Sequence, residues 1–532
     1  LDAVQATNPP GTYTSVVSGN WNSASTWDVG SVPNSYDNAI VSAATTVTVD
    51  ATALSISNLS VEGTLAYGTT PNNFTVGNNL TVAPGGVVNV FNGTTGKTLT
   101  VGGNIQNNGS IDLSVGATTA GNLTLNGAAV QTVSGSGSFN TGIIRNLTFS
   151  NTATVTPNIN WLINDVKVAY NLNLTGARIN LGTNKMTYGA GAVGNTFTAP
   201  VGTGFLSGAK FSRWWAATGT GTSISAGSDP TGTASRYPFI NAAGDSRAMY
   251  ITRTNATGAI AGELAVIYND VPGITSGLTV ADGAYTINER YNGRWVVSNE
   301  GTPVSSSSYT VALFAQNAFS GLLNGNARVM FANSAIGGTH QNGTTTPVAQ
   351  RITVSQADLL SAPLYVGVAS SEIPFISVAN GNWTTPATWN KNAVPGAADT
   401  VTIANNTTVT LDGTNIIAGL TVATGGTLNA ATGTLNFTNL TNSGTVNISG
   451  GVLTASNTVA NNSIMNVTGG SLNVTGASTT GITNGSSATL TVGGGTINLS
   501  ATGANNRTFS NNGIMTVTSG TVNVFGTMTH NG

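Results

Sequence analysis

Three stretches decide the fold. Residues 463–474 read SIMNVTGGSLNV, 488–499 read ATLTVGGGTINL, and 513–524 read GIMTVTSGTVNV. The matching asparagines Asn473, Asn498 and Asn523 follow one another at steps of 25 residues. Each stretch is a short alternating run, a glycine- or serine-bearing corner, and a second run ending in Asn and an aliphatic residue. A fixed step of this size marks a repeat architecture, and a unit so small buries its apolar side only by stacking on the next. Alternation at period two sends the aliphatics one way and the asparagines the other. The glycines at 469–470, 493–495 and 520 are expected to turn the corners, whereas antiparallel strands would want an Asn-Gly or Asp-Gly hairpin between every pair. The pattern predicts coils of a parallel β-solenoid, each displaced from the last by about 4.8 Å, the strand spacing. Val474, Leu499 and Val524 are expected inside, at equivalent places in adjacent coils. Asn429, Asn447, Asn473, Asn498 and Asn523 share similar contexts and are expected to stack as one amide ladder.

Composition agrees with an all-β chain. Of 532 residues, 68 are Gly and only 6% are charged, with few helix formers and much Thr, Val and Asn. The hydrophobic share of 39% is enough for a core. A net charge of −2 leaves no electrostatic footprint for nucleic acid or an anionic membrane. Cysteine is absent, which excludes disulfides and thiolate metal sites. No apolar run approaches membrane-spanning length. Leu1–Gln5 shows neither the charged nor the apolar region of a signal peptide.

A second duplication lies outside the coils. Residues 19–50 read GNWNSASTWDVGSVPNSYDNAIVSAATTVTVD, and 381–412 read GNWTTPATWNKNAVPGAADTVTIANNTTVTLD. Trp21, Trp27, Pro33, Asp37 and Asp50 recur as Trp383, Trp389, Pro395, Asp399 and Asp412, all 362 residues on. The tryptophans suit either of two roles, platforms for sugar rings or lids. A solenoid's first coil exposes core and strand edges, and large rings with a proline are fitting material to close it. The lid is the preferred role. Asp37 and Asp399 are single carboxylates in their loops, better suited to a turn than to a calcium cage.

In chain order, residues 1–17 read as a leader. Residues 18–199 are a first β-solenoid with its lid, 200–372 an antiparallel β-sandwich, and 373–532 a second β-solenoid with its lid, continuing beyond the chain. Coil-like runs at 59–61, 80–82, 99–101, 123–125, 147–149 and 172–174 mark the first solenoid, whose periodicity fades near residue 180. The central segment carries longer alternating runs at 248–253, 263–268, 309–314, 327–331 and 364–369, which point to antiparallel strands. The final coil shows no capping pattern, so a longer chain or a neighbouring subunit is expected to cover it.

The familiar catalytic signatures are missing. His340 and His530 are the two histidines, and neither has a second ligand at a recognised spacing. There is no P-loop, dinucleotide fingerprint or nucleophile elbow. The solenoid segments lack the clustered acids that polysaccharide cleavage needs, since Glu62, Lys97, Asp112 and Arg507 are scattered. No enzyme, cofactor or metal is expected. The candidate ligand-binding residues are Arg213, Trp214, Trp215, Arg290, Tyr291, Arg294 and Trp295, with Glu289, as aromatic and charged groups suited to sugars. Packing inside the sandwich is the competing role and the preferred one. Asn-X-Ser/Thr matches at Asn122, Asn146 and Asn173 fall out of the repeated strand pattern. The pairs Thr46/Thr48, Thr98/Thr100, Thr408/Thr410 and Thr516/Thr518 resemble those of ice-binding solenoids, but they do not recur at every coil, so no regular threonine array is expected.

The lid motif W-x5-W-x5-P-x3-D, followed by TVTVD or TVTLD and L-x-V coils, resembles large repetitive secreted surface proteins of Bacteroidetes-type bacteria. SGAKFSRWW, RYPF, SRAMYITR, YNGRWVV and LYVGVAS resemble the β-sandwich that recurs between their solenoids. The resemblance covers most of the chain and implies export by type IX secretion to the cell exterior. The C-terminal sorting domain of that group is not recognisable here. The expected function is structural and adhesive, as fibre- or rod-like repeats, with self-association or neighbouring repeats and surface glycans as partners. The alternative is a carbohydrate-binding module of a polysaccharide-processing surface protein.

Overall fold

The computed structural model describes residues 10–69, 73–90, 97–113, 121–139, 142–217, 235–253, 260–301, 304–319, 326–341, 348–476, 479–500 and 507–531. The chain is all-β and its dominant architecture is a parallel β-solenoid. The described residues divide into two compact units, one up to residue 369 and one from residue 370 onward.

In the first unit the chain winds around three parallel faces. The first face runs from Thr12–Thr14 through Asn38–Val41, Asn58–Val61 and Leu80–Val82 to Gly204–Phe205. The second runs from Gly19–Asn20 to Ser138–Phe139. The third starts at Ala53–Ile56 and climbs through Asn73–Val76, Thr98–Val101, Asn122–Leu125, Ile143–Phe149 and Val166–Asn173. The runs at 59–61 and 80–82 therefore lie on one face, and those beginning at 99, 123, 147 and 172 on another. Thr12–Thr14, expected in a leader, pairs with Asn38–Val41 as part of the first face.

Alternation fills the core. On the third face Leu99, Leu123, Leu147 and Leu172 are register partners, all fully buried. Each such leucine contributes about 1.5–3 kcal/mol relative to exposure. Corners are tight because coils sit one strand spacing apart. A Cβ on Gly109 would lie 2.2 Å from the Gly86 carbonyl oxygen, and one on Gly470 would lie 2.1 Å from that of Gly451, at a φ of +63°. Not every corner glycine needs its backbone freedom. At Gly469, a Cβ 2.3 Å from the Ser449 oxygen shows that close approach alone excludes a side chain.

Coiling continues past residue 180, where the sequence period fades. Lys185–Tyr188 and Lys210–Trp215 add further parallel rungs to the third face. The same sheet then turns antiparallel, pairing Lys210–Trp215 with Gly262–Asn269, and that strand with Arg294–Glu300. The boundary expected at 199/200 is thus crossed by one hydrogen-bonded sheet. Among the described residues three further antiparallel sheets follow, the smallest a hairpin of Val280–Asp282 with Tyr285–Ile287. Of the two larger, Met249–Arg253, Tyr309–Phe314 and Val348–Val354 form the centre of one, and Glu289–Tyr291, Tyr365–Val368 and Arg328–Met330 that of the other.

The second unit repeats the three-faced plan. The 25-residue step is one full turn, with Asn473, Asn498 and Asn523 in register, as are Val474, Leu499 and Val524. Val474 and Leu499 are fully buried and Val524 packs against the same core.

The five asparagines expected in one ladder divide between two faces. Asn447 Nδ2 donates to Asn429 Oδ1 and Asn466 Nδ2 to Asn447 Oδ1, both at 2.9 Å. Asn498 donates to Asn473 at 2.9 Å and Asn523 to Asn498 at 2.8 Å on another face. The cause is turn length, since the turn from Asn447 is 19 residues and ends at Asn466, which leaves Asn473 on the next strand and the next face. A third, fully buried ladder was not foreseen. Asn442 Nδ2 donates to Asn461 Oδ1 at 2.7 Å, Asn461 to Asn484 at 2.8 Å, and Asn484 to Asn511 at 2.6 Å. Asn461→Ala removes one rung and leaves the Asn442 amide and the Asn484 carbonyl oxygen each short of a partner. It is expected to cost about 1–3 kcal/mol for each buried group left unmade, read from denaturant unfolding. A neutral substitution would mean that the ladder adds nothing to stability.

Candidate functional site

Both tryptophan motifs fold alike. Trp21 and Trp27 meet edge to face at 4.8 Å and 73°, Trp383 and Trp389 at 5.0 Å and 70°. The Trp27 indole N–H donates to the Trp21 carbonyl oxygen at 2.8 Å, and that of Trp389 to the Trp383 oxygen at 2.8 Å. All four rings are at most 2% exposed. Rings so placed have no face to offer a sugar. Each motif is tied to the coil it covers, because the Trp21 backbone N–H donates to the Thr48 oxygen and the Trp383 backbone N–H to the Thr410 oxygen, both at 2.8 Å. Pro33 and Pro395 are buried beside them. Asp37 accepts from the backbone N–H groups of Gly11 and Asn34, both at 2.9 Å, and Asp399 from that of Gly396 at 2.8 Å. These carboxylates close turns. Asp50 and Asp412 likewise accept from Asn22 and Thr384.

The expected ligand-binding residues are brought together in two separate places, and most are interior. Trp215 stands opposite Gly262 and Trp295 opposite Tyr268, at opposite ends of the strand between them. Around the first, the Arg213 guanidinium lies 4.5 Å from the Phe197 ring centroid and 5.1 Å from that of Tyr188. Burial lowers the Arg213 pKa to about 10, against the pull of Tyr237, Tyr188 and Tyr250, so it stays charged at neutral pH. The Trp215 N–H donates to the Tyr237 hydroxyl at 3.1 Å, and Arg253 covers the ring. Around the second, the Trp295 N–H donates to the Arg247 oxygen at 2.7 Å. The Tyr291 hydroxyl joins Tyr268 and Asp270, each at 2.8 Å. Burial, with both Tyr291 and Asp270 nearby, raises the Tyr268 pKa and keeps that phenol protonated. Trp214 and Arg294 are half-buried strand positions. Arg290 stacks 4.5 Å from the Tyr365 centroid and donates to the Ala332 oxygen, and Glu289 accepts from Ser276. These contacts are packing and hydrogen bonds inside the protein.

A charged group that sequence reading missed marks the change from parallel to antiparallel strands. Lys167 meets Glu263 at 2.6 Å, Lys185 lies 3.7 Å from Glu263 and 3.4 Å from Glu300, and Lys210 lies 3.0 Å from Glu300. Lys185 and Lys210 are neighbours in register, so the two glutamates offset their repulsion. Burial opposes ionisation of Glu300, but hydrogen bonds from Lys210 and Ser298 and the two lysine charges outweigh it and hold its pKa below the ordinary value. The five residues span 167–300, and nothing in their sequence spacing announces the cluster. Among the described residues, no three His, Cys, Asp or Glu side chains form a group suited to a metal ion. No protein-family model, curated protein or solved structure matches the chain.

Proposed function

We propose that this chain is an extracellular structural and adhesive protein of a bacterial surface, acting by contact and not by catalysis. Its antiparallel segment serves as a sandwich module between solenoid repeats in the sequence. The observation that carries this reading is the pairing of dry, stacked aliphatic cores with outer rows of uncharged Thr, Asn and Ser, in two solenoids that each begin with the same tryptophan lid. Such a surface is stiff, repetitive and neutral, which suits many weak contacts in parallel. Export follows the type IX route of the surface proteins that the lid motifs resemble, and neighbouring repeats and surface glycans are the partners. The alternative of a carbohydrate-binding module rested on an aromatic-arginine cluster, and both Trp215 and Trp295 are buried.

Immunogold labelling of intact and permeabilised producing cells, with electron micrographs of the isolated protein, tests the proposal. Label on intact cells together with fibres or sheets is expected. Label seen only after permeabilisation would overturn it.

A further inference from the structure

We infer that the third face of the first unit holds a binding trough for a neutral polysaccharide chain. This deepens the adhesive reading above by naming the substance gripped.

Two outward rows run up this face in register through six consecutive coils. One row is Asn73, Thr98, Asn122, Asn146, Asn171 and Thr196, and the other Thr75, Thr100, Thr124, Thr148, Asn173 and Thr198. The Thr-X-Thr motif alone therefore understates the array. Asn takes the threonine's place at Asn73, Asn122, Asn146 and Asn171 in one row and at Asn173 in the other, and every rung keeps two polar, uncharged side chains. The face is not flat. A bulge lies between Ile144 and Asn146, and the strand Val166–Asn173 forks, pairing through 166–168 with one neighbour and through 171–173 with another. Members of both rows between Thr98 and Thr198 line a trough of about 380 Å³ beside this fork, with no charged residue in its lining and the buried Leu172 beneath.

The two rows differ chemically. In the first, Asn122 Nδ2 donates to Thr98 Oγ1 at 3.2 Å, Asn146 Nδ2 to Asn122 Oδ1 at 2.6 Å, and the Asn171 backbone N–H to Asn146 Oδ1 at 3.1 Å. These side chains are held before any ligand arrives, which lowers the ordering cost of binding. In the second row Thr124 and Thr148 are half-exposed, and their hydroxyls make no hydrogen bond among the described residues. A free hydroxyl both donates and accepts, as a sugar hydroxyl does, and the threonine methyls supply apolar patches for sugar C–H faces. The rungs repeat about every 4.8 Å, so the partner that uses them all is a polymer lying along the axis. An uncharged lining gives no hold on nucleic acid or phosphate. Arg145, stacked 4.5 Å from the Tyr170 centroid, stands next in the chain to Asn146 but does not line the trough. A planar crystal face or a second copy of the sheet would meet the rims of a concave surface and miss its floor.

Affinity electrophoresis of the full chain in gels holding a soluble glucan, galactan or mannan, with alginate as the acidic comparison, tests the inference. Retardation by at least one neutral polysaccharide is expected, growing with chain length because each rung adds little. The double variant Thr124→Val with Thr148→Val keeps side-chain shape and removes two hydroxyls. It is expected to weaken binding about tenfold or more with thermal unfolding unchanged. A Trp214→Ala variant should bind as the parent does. Retardation by alginate alone, no retardation by any of them, or undiminished binding by the threonine variant would overturn the trough. So would ice-crystal shaping or dimerisation that vanishes in that variant. These results are independent of cell labelling, so failure of the surface reading and failure of the trough are told apart.

Discussion

Leu499→Asp is expected to unfold the coils around it and to lower the thermal unfolding temperature of the second unit by tens of degrees. Leu499 is fully buried, in register with Val474 on one side and Val524 on the other. Its Cδ1 lies where a Cβ on Gly481 would be, 2.3 Å away, so the side chain already fills the space to the opposite backbone. Truncating such a leucine costs about 2–5 kcal/mol. A carboxylate at the same place adds an unpaired buried charge, which costs several kcal/mol more even after relaxation. The sum rivals the total stability of a typical domain, about 5–15 kcal/mol. Repeat stabilities depend on nearest neighbours, so loss at this coil propagates to both sides. Circular dichroism melting with limited proteolysis reads the outcome, and Leu499→Ala provides the milder step of the series. An unchanged melt for the aspartate variant would remove Leu499 from the core.

Trp27→Ala and Trp389→Ala are expected to destabilise their own units by similar amounts, about 3–5 kcal/mol each. The equality follows from geometry, because each indole donates to a tryptophan carbonyl six residues earlier at 2.8 Å and packs edge to face on that tryptophan. Trp389 also meets Phe375 at 6.3 Å and 82°, inside the core that holds Val401 and Leu411. The phenylalanine variants keep much of the ring volume and lose the hydrogen bond, so they should cost less than the alanine variants. Denaturant unfolding of the full chain, followed by proteolytic protection of each unit, separates the two effects. If both alanine variants unfold like the parent, the tryptophans are not lids, and a role at the surface would have to be sought.

The lids were legible because tryptophan is rare here and recurred in register with Pro33/Pro395 and Asp37/Asp399. For the candidate ligand set, packing inside the sandwich was the preferred reading, and what stayed hidden was the partners. Trp215 and Trp295 are charged-flanked in sequence, as exposed residues often are. Yet Arg213 spends its charge on Tyr188 and Phe197, and Arg247 accepts the Trp295 N–H on its own carbonyl. Those partners lie outside the local motif, Tyr188 on the neighbouring strand and Arg247 48 residues before Trp295, so the motif by itself does not name them. The Lys167–Glu263 and Lys210–Glu300 contacts were hidden for the same reason, joining residues 96 and 90 positions apart.

Sequence by itself determined that the chain coils, that its aliphatics at alternate positions form the core, and that Val474, Leu499 and Val524 share a column. These follow from local alternation and from a constant 25-residue step. Only the tertiary structure decided which asparagines stack, where polar rows deepen into a trough, and where parallel strands give way to antiparallel ones. In a parallel solenoid the lateral neighbour of a residue lies one full turn away, and the turn here is 18 residues at Asn447, 25 at Asn498 and 28 at Thr132. Corner loops absorb those differences without disturbing strand alternation. The alternation therefore tells which way a side chain points, while the loops decide what it points beside.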